Sequence, residues 1–440
     1  MKSLKKVRGV RGFASKNEQM KKTTLMSLAA LGLLASSSSG KDWPQWRGPD
    51  RNGLSTEKGI IKSWDDAAPK LLWNVKGSGR GYSSVSIANG VLYTTGNFEG
   101  GQGASAFAIK DGKLLWQTPV TDFVPEHGYQ GARSAPTIDG ERLYITTSNG
   151  VIACLSTKGK VIWSKNFKEE WNGKMMSGWG FSESPLVDGD RVICTPGGKE
   201  AFMVSLDKKT GATKWKTKID EDDLGKKGKD GAGYGSIVIS NGGGVKQYVQ
   251  MTGRGVIGVR AKDGRFMWNY NKVANSTANI PTPIADGDHV FCSTGYGTGS
   301  ALLKLVKKGS GAVAEEVYFL RPKTLQNHHG GLLLIDGHIY GAHKHNGGEP
   351  IRVVMKTGIV KWGPEKGPGN GSACVTYVDG HLIFRYQSGP VSLVKVSPSS
   401  YQFKGSFKPA HIEAEAWAHP VVSDGKLYLR EQDHIMCYQL

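Results

Sequence analysis

Cysteine is scarce in this 440-residue chain and never paired. Its five copies, Cys154, Cys194, Cys292, Cys374 and Cys437, form no CxxC, no CxxCH and no adjacent pair. That arrangement excludes a disulfide framework and a covalently attached haem. Each Cys stands in apolar text (IACL, VICT, VFCS, SACV, IMCY), which reads as a buried free thiol packing as a small hydrophobe. Long apolar runs are also missing. The longest, after Lys22, is too short to span a bilayer, so no transmembrane segment is expected in the mature chain. Helical periodicity is absent. Abundant Gly (61 residues), 22% charged and 38% hydrophobic residues fit a turn-rich, all-β protein. Acid is short against base, with a net charge of +19. Residues 1–22 hold eight Lys/Arg and one acid, and the charge left without them, about +12, is scattered. No basic stripe is interleaved with aromatics, so nucleic acid is not an expected partner.

Two periodic signals run through the rest. Asx-Gly pairs fall at Asn89-Gly90, Asp139-Gly140, Asp188-Gly189, Asn241-Gly242, Asp286-Gly287, Asp336-Gly337, Asp379-Gly380 and Asp424-Gly425, 43 to 53 residues apart. Each lies between short apolar runs, as in PTIDGERLYITT, the pattern of a hairpin with a type I′ turn. In phase with them, Gly precedes Trp by four residues at Gly112/Trp116, Gly159/Trp163, Gly211/Trp215, Gly264/Trp268 and Gly358/Trp362. The Gly turns the hairpin between third and fourth strands, and the Trp packs between neighbouring repeats. Tyr318 and Phe403 stand near the Trp position of the two repeats that lack it. A period of this size with four short strands per repeat means propeller blades.

The eighth repeat ends one strand short at HIMCYQL, and PKLLWNV (69–75) is a fourth strand with no predecessors. The expected fold is therefore an all-β, eight-bladed propeller over 69–440, closed by the N-terminal strand 70–75. Residues 41–68, with WPQWRGP, form a separate segment, read either as an ordered lid on the propeller's side or as an aromatic patch for a partner. Residues 1–40 read as a signal peptide (20–40, with Met20 as an alternative start) preceded by a basic extension. That address is periplasmic or secreted, and the chain is expected to be a monomer.

The Gly-x-x-x-Trp repeats resemble the tryptophan-docking repeats of the quinoprotein (pyrroloquinoline quinone, PQQ) dehydrogenase superfamily, which also contains a non-enzymatic scaffold of outer-membrane β-barrel assembly. The chain after the signal peptide is similar to secreted PQQ-binding-like β-propeller repeat proteins, in text such as WPQWRGP, WGFSESPLVDGDRVICTPGG, TANIPTP, LQNHHGG and WAHPVV. The resemblance implies the fold. It leaves two functions open: a scaffold that binds a protein partner or a small polar ligand at the rim, and a PQQ-dependent alcohol or sugar dehydrogenase. For the second it implies Ca²⁺ held by Glu183 and Asn279, with Glu183 or a rim His as base. Trp179 or Trp417 would supply the stacking plane, and Arg133, Arg254 and Arg385 would meet the quinone carboxylates. The dehydrogenases' vicinal disulfide has no counterpart here, and no Asp completes the set.

Chain direction places the segments before each first strand and after each second strand on one rim. That rim gathers Arg80, Tyr82, Tyr234, Tyr296, Gln387, Glu431 and Asp433 beside the residues above. LQNHHGG and YGAHKHN add His328, His329, His343 and His345, with His419 from WAHPVV. Imidazoles in this number read either as ligands of a transition metal or as rim hydrogen-bonding groups. Alternation along a strand would keep His328 and His329 from facing the channel together.

Overall fold

The structure, a computed structural model, describes residues 42–440; the expected signal peptide lies outside them. The apolar runs on either side of each Asx-Gly pair become antiparallel partners. Eight four-stranded sheets result among the described residues, seven of them meanders of consecutive strands. Blade 1 spans Ser86–Pro119, and blade 8 combines Val421–Ser423, Lys426–Glu431 and His434–Gln439 with Leu71–Lys76. In that last sheet the N-terminal strand runs antiparallel to the C-terminal one, Trp73 opposite Cys437, which closes the ring.

Second strands are buried along nearly their whole length because a neighbouring blade covers each face, as in His289–Thr294 and His381–Tyr386. Outermost strands such as Leu114–Pro119 keep one row of side chains in solvent. The core is accordingly divided among the blade interfaces. One apolar cluster joins blades 1 and 2 through Ala104, Leu143 and Leu155, and another joins blades 2 and 3 through Ile152, Cys154 and Val192. The five cysteines are buried and free.

Four of the eight turns have both central residues at positive φ, as type I′ requires: Asn89-Gly90, Asp336-Gly337, Asp379-Gly380 and Asp424-Gly425. At Asp139, Asp188 and Asp286 the Asp ends the strand and the Gly takes the first loop position, the pattern of a type II′ turn. At Asn241 a 3₁₀ turn, Gly242–Gly244, replaces the tight hairpin.

Docking crosses the interfaces in one direction. Trp73, Trp116, Trp163 and Trp215 are each received by the Gly turn of the next blade. A Cβ on Gly211 would lie 2.8 Å from the Trp163 ring, and one on Gly159 2.8 Å from Trp116. Trp116 Nε1 donates to Thr157 O at 3.0 Å, Trp163 Nε1 to Lys208 O at 3.3 Å and Trp362 Nε1 to Ser397 O at 3.0 Å. Tyr318 fills the position in blade 5, its hydroxyl donating to Met355 O and its ring beside Gly358. Phe403 is 43% exposed and takes no such place. Trp268 lies over Gly258 of its own blade and donates to Gln247 Oε1 at 2.7 Å.

The segment expected on the propeller's side instead threads its axis. Trp43 bridges Ile87 of blade 1, and Pro44 O accepts from Ile138 N of blade 2 at 2.8 Å. Arg51 donates to Ser184 O (2.8 Å) and Pro185 O (3.1 Å) at blade 3, and Arg47 to Leu332 O of blade 6. The chain then descends past blade 7, where Gly53 and Ser55 exchange backbone bonds with Tyr377, and Glu57 accepts from Asp424 N and Gly425 N of blade 8. The reason is physical. The innermost strands of a ring this wide turn an unpaired backbone edge toward the axis, and buried edge groups need partners. Two guanidinium groups and an extended backbone supply them. Arg47 and Arg51 are buried, and burial lowers each pKa to about 10.

Candidate functional site

The insert turns back inside the channel, so the axis is blind. What stays open is a cavity of about 330 Å³ at the end away from the Asx-Gly turns, with Trp46 and Arg47 at its inner end. Its walls are the segments that lead into the first strands and, at Tyr296, His345, Asn346 and Gln387, those that follow second strands, joined by the loop before Arg133. Tyr82 N and Ser83 N both donate to Ala132 O, at 2.8 and 3.1 Å, tying blade 1 to that loop. Arg133 holds the loop itself through Gly131 O (3.0 Å), Gly128 O (3.1 Å) and Tyr129 O, and lies 5.4 Å over the Tyr82 ring.

The wall is aromatic and its rings are set at angles. Trp417 meets Tyr82 at 4.7 Å and 37°, Tyr129 at 4.9 Å and 59°, and His329 at 5.0 Å and 62°. Trp46 meets His419 edge-on at 4.6 Å and Trp179 meets Tyr234 at 6.0 Å. Tyr234 is fixed by Ser177 Oγ at 2.7 Å, and its backbone N donates to Asn279 O at 2.8 Å.

Four imidazoles complete the lining. His328 and His329 both reach the cavity, against the expected alternation, because the chain bends at 328–330 ahead of the Leu332–Ile335 strand. Their rings are 4.2 Å apart, and His345 lies 4.1 Å from His328. His328 is engaged on both nitrogens, with Ser372 Oγ at 2.7 Å and the Tyr296 hydroxyl at 3.0 Å. His419 Nε2 is 3.3 Å from His329 O. His329 Nε2, His345 Nδ1, His419 Nδ1 and Trp417 Nε1 are buried without a protein partner. Burial drives the pKa of His328 to about 2 and those of His329 and His419 to about 3, with neighbouring His and Arg charges adding to the effect. These rings are neutral at physiological pH.

The other expected residues are set apart. His343 is buried behind the wall, its Nδ1 accepting from Gln326 N at 3.3 Å, so the five His do not form one set. Among the described residues no group of three or more His, Cys, Asp or Glu is arranged to hold a metal ion. Glu183 and Asn279 belong to rim segments, but side chains alternate there. Ser182 and Ser184 face the cavity, Glu183 faces away, and Asn279 does the same between Ala278 and Ile280. Glu183 accepts from Thr195 N (2.7 Å), Thr195 Oγ1 (3.1 Å) and Gln250 Nε2 (3.3 Å), and burial pushes its pKa up to about 8. Asn279 Nδ2 donates to Thr252 O and Gly253 O. Arg254 pairs with Asp230, away from the cavity. Arg385 is fully buried against Glu431 at 2.5 Å. Of the three arginines only Arg133 lines the cavity, and no Asp or Glu does. Sequence reasoning missed Trp46, Arg47 and Tyr129. The signal for the first two was WPQWRGP, whose aromatic density no blade repeat explains.

Known proteins resemble this chain in fold. The model of a protein family described as outer membrane protein assembly factor BamB matches residues 104–363. The crystal structure of BamB from Moraxella catarrhalis is 14% identical with a TM-score of 0.58, covering 85% of this chain and 98% of its own. The quinohemoprotein alcohol dehydrogenase ADHIIG of Pseudomonas putida HK5 is 14% identical (TM-score 0.61; 91% and 80% covered). That of Comamonas testosteroni is 12% identical (0.62; 90% and 80%). No curated protein matches the sequence.

Proposed function

The chain belongs to the family described as outer membrane protein assembly factor BamB, and from that premise we propose that it is a non-catalytic binding propeller of the cell envelope whose axial cup holds a small polar ligand. The blind cavity carries this reading. Its floor is supplied by the chain's own N-terminal insert, and its wall is lined by His329, His345, His419 and Trp417, each of which keeps a buried ring nitrogen without a protein partner. Buried polar groups without partners are costly, and a ligand with matching donors and acceptors would relieve that cost. The expected signal peptide at 20–40 supports an exported address, and the family description supports a scaffold that also meets a protein partner.

A PQQ–Ca²⁺ centre does not suit these side chains. No carboxylate faces the cavity to hold the cation or accept a proton, and of the three arginines expected to meet the quinone carboxylates only Arg133 lines it. The test is tryptophan fluorescence of the full mature protein against a chemically diverse panel of small molecules, beside reconstitution with PQQ and Ca²⁺. The proposal expects saturable quenching by some panel members, lost in Trp417→Ala, and no quinone absorbance band. Dye-linked alcohol oxidation after reconstitution would refute it.

A further inference from the structure

We propose that the ligand of the axial cup is an acidic sugar, a pyranose ring bearing a carboxylate. This rests on the reading of the cup as a small-molecule site.

Three observations carry the inference. The first is charge. Arg133 and Arg47 line the cavity with no Asp or Glu among its lining residues. Glu415 acts on Tyr82 from outside the lining, more strongly there than either Arg133 or Arg80, but it is not among the charges acting on Arg133 or Arg47. The imidazoles add no charge of either sign, because burial keeps them neutral. The lining therefore carries positive charge with no acid of its own, in a partly desolvated space where attraction for an anion is far stronger than in bulk water.

The second is the form of the aromatic wall. Among the ring pairs around Trp417, Tyr296 and Trp46 the interplanar angles run from 37° to 86°, and none is parallel. These rings touch one another, with centroids 4.6–5.0 Å apart, so they turn faces of several inclinations to the cavity and form no single flat platform. Inclined faces suit a puckered ring that presents C–H groups in several directions.

The third is the polar set. His329, His345, His419, Trp417 and Ser182 line the cavity, and each has a buried polar side-chain atom without a protein partner. Neutral imidazoles donate or accept according to tautomer, which matches hydroxyl groups that do both. At about 330 Å³ the cavity stands at the small end of ligand sites, the scale of one or two sugar rings.

The experiment is calorimetric titration of the full mature protein with D-glucuronate, D-galacturonate and their disaccharides. Glucose and galactose serve as neutral matches and benzene polycarboxylates as flat anions. Uronates should bind at least tenfold more tightly than the matched neutral sugars. Arg133→Lys should keep that preference and Arg133→Gln should abolish it, with circular dichroism confirming that both are folded. Equal binding of glucose and glucuronate would overturn the inference. So would binding of the flat anions alone, or of other compounds from the diverse panel but no uronate; in those cases the cup survives as a ligand site. Failure of every compound on both panels would instead remove the site itself.

Discussion

The blade interfaces and the channel axis follow opposite rules. Around the ring one contact recurs, an indole laid on a glycine turn of positive φ, with the ring N–H on a nearby carbonyl. Along the axis the insert meets a different atom at each blade it touches, from Ile138 N to Leu332 O. In the cup wall one contact does repeat, Ala135 N on Ser184 Oγ, Ser184 N on Ser236 Oγ and Ser236 N on Thr282 Oγ1, but the rings and the arginine beside it do not. Repetition builds the frame because stacked repeats need only satisfy their neighbours. Specific chemistry requires residues that depart from the repeat, and they collect where all eight blades meet.

If frame and axis are separable, damage to them should be separable too. The harshest test removes both N-terminal contributions. A chain beginning at Gly77 lacks the insert and the closing strand, leaves the His434–Gln439 edge unpaired and empties the place of Trp73. It should lose more than the about 3–5 kcal/mol of a single core tryptophan deletion and aggregate through the open edge, as denaturation and light scattering would show. A soluble protein of unchanged stability would mean that the seam does not hold the ring. Trp163→Ala strikes the frame alone. The side chain is half-buried, so a loss of about 3 kcal/mol in urea denaturation is expected, with ligand affinity unchanged.

Glu183 sits between frame and axis, close enough to Arg51 of the insert to feel its charge. Its folded pKa of about 8 lies above the ordinary value of 4.5. Between those pH values the unfolded chain releases a proton that the folded chain keeps. Stability should therefore fall as pH rises through that window, by roughly 4–5 kcal/mol over its full width. Glu183→Gln should flatten the profile in denaturation series from pH 5 to 8; an unchanged slope would assign the pH dependence elsewhere. The mildest change is Tyr129→Ser. The residue is 52% exposed, so stability should move by less than about 0.5 kcal/mol, while the affinity of any cup ligand should weaken in calorimetry.

The same division explains what was legible in the sequence. Turn pairs and tryptophans obey local rules, so blade number, order and the seam at Leu71–Lys76 could be read directly. Chain direction also put His328, His329, His345, His419, Trp179, Trp417 and Arg133 at one end of the axis. It could not tell which way a side chain turns within a rim segment. Glu183 and Asn279 were each one residue out of phase, whereas the bend at His328 released two neighbours that a straight strand would have separated. The insert was opaque for a different reason. Its partners are backbone atoms of blades far along the chain, and a carbonyl leaves no mark in a sequence.

The seam has a consequence in time. Asn74 meets His434 only after 360 further residues have been made, a delay of roughly 20–70 s at ordinary rates of synthesis. Trp73 need not wait. Its indole N–H reaches Ile109 O, only 36 residues on, and its ring covers Gly112, a near contact of the kind that forms early. The first strand made is thus moored on blade 1 long before blade 8 exists. The last blade assembles onto an edge already held in position, and the ring closes without a search.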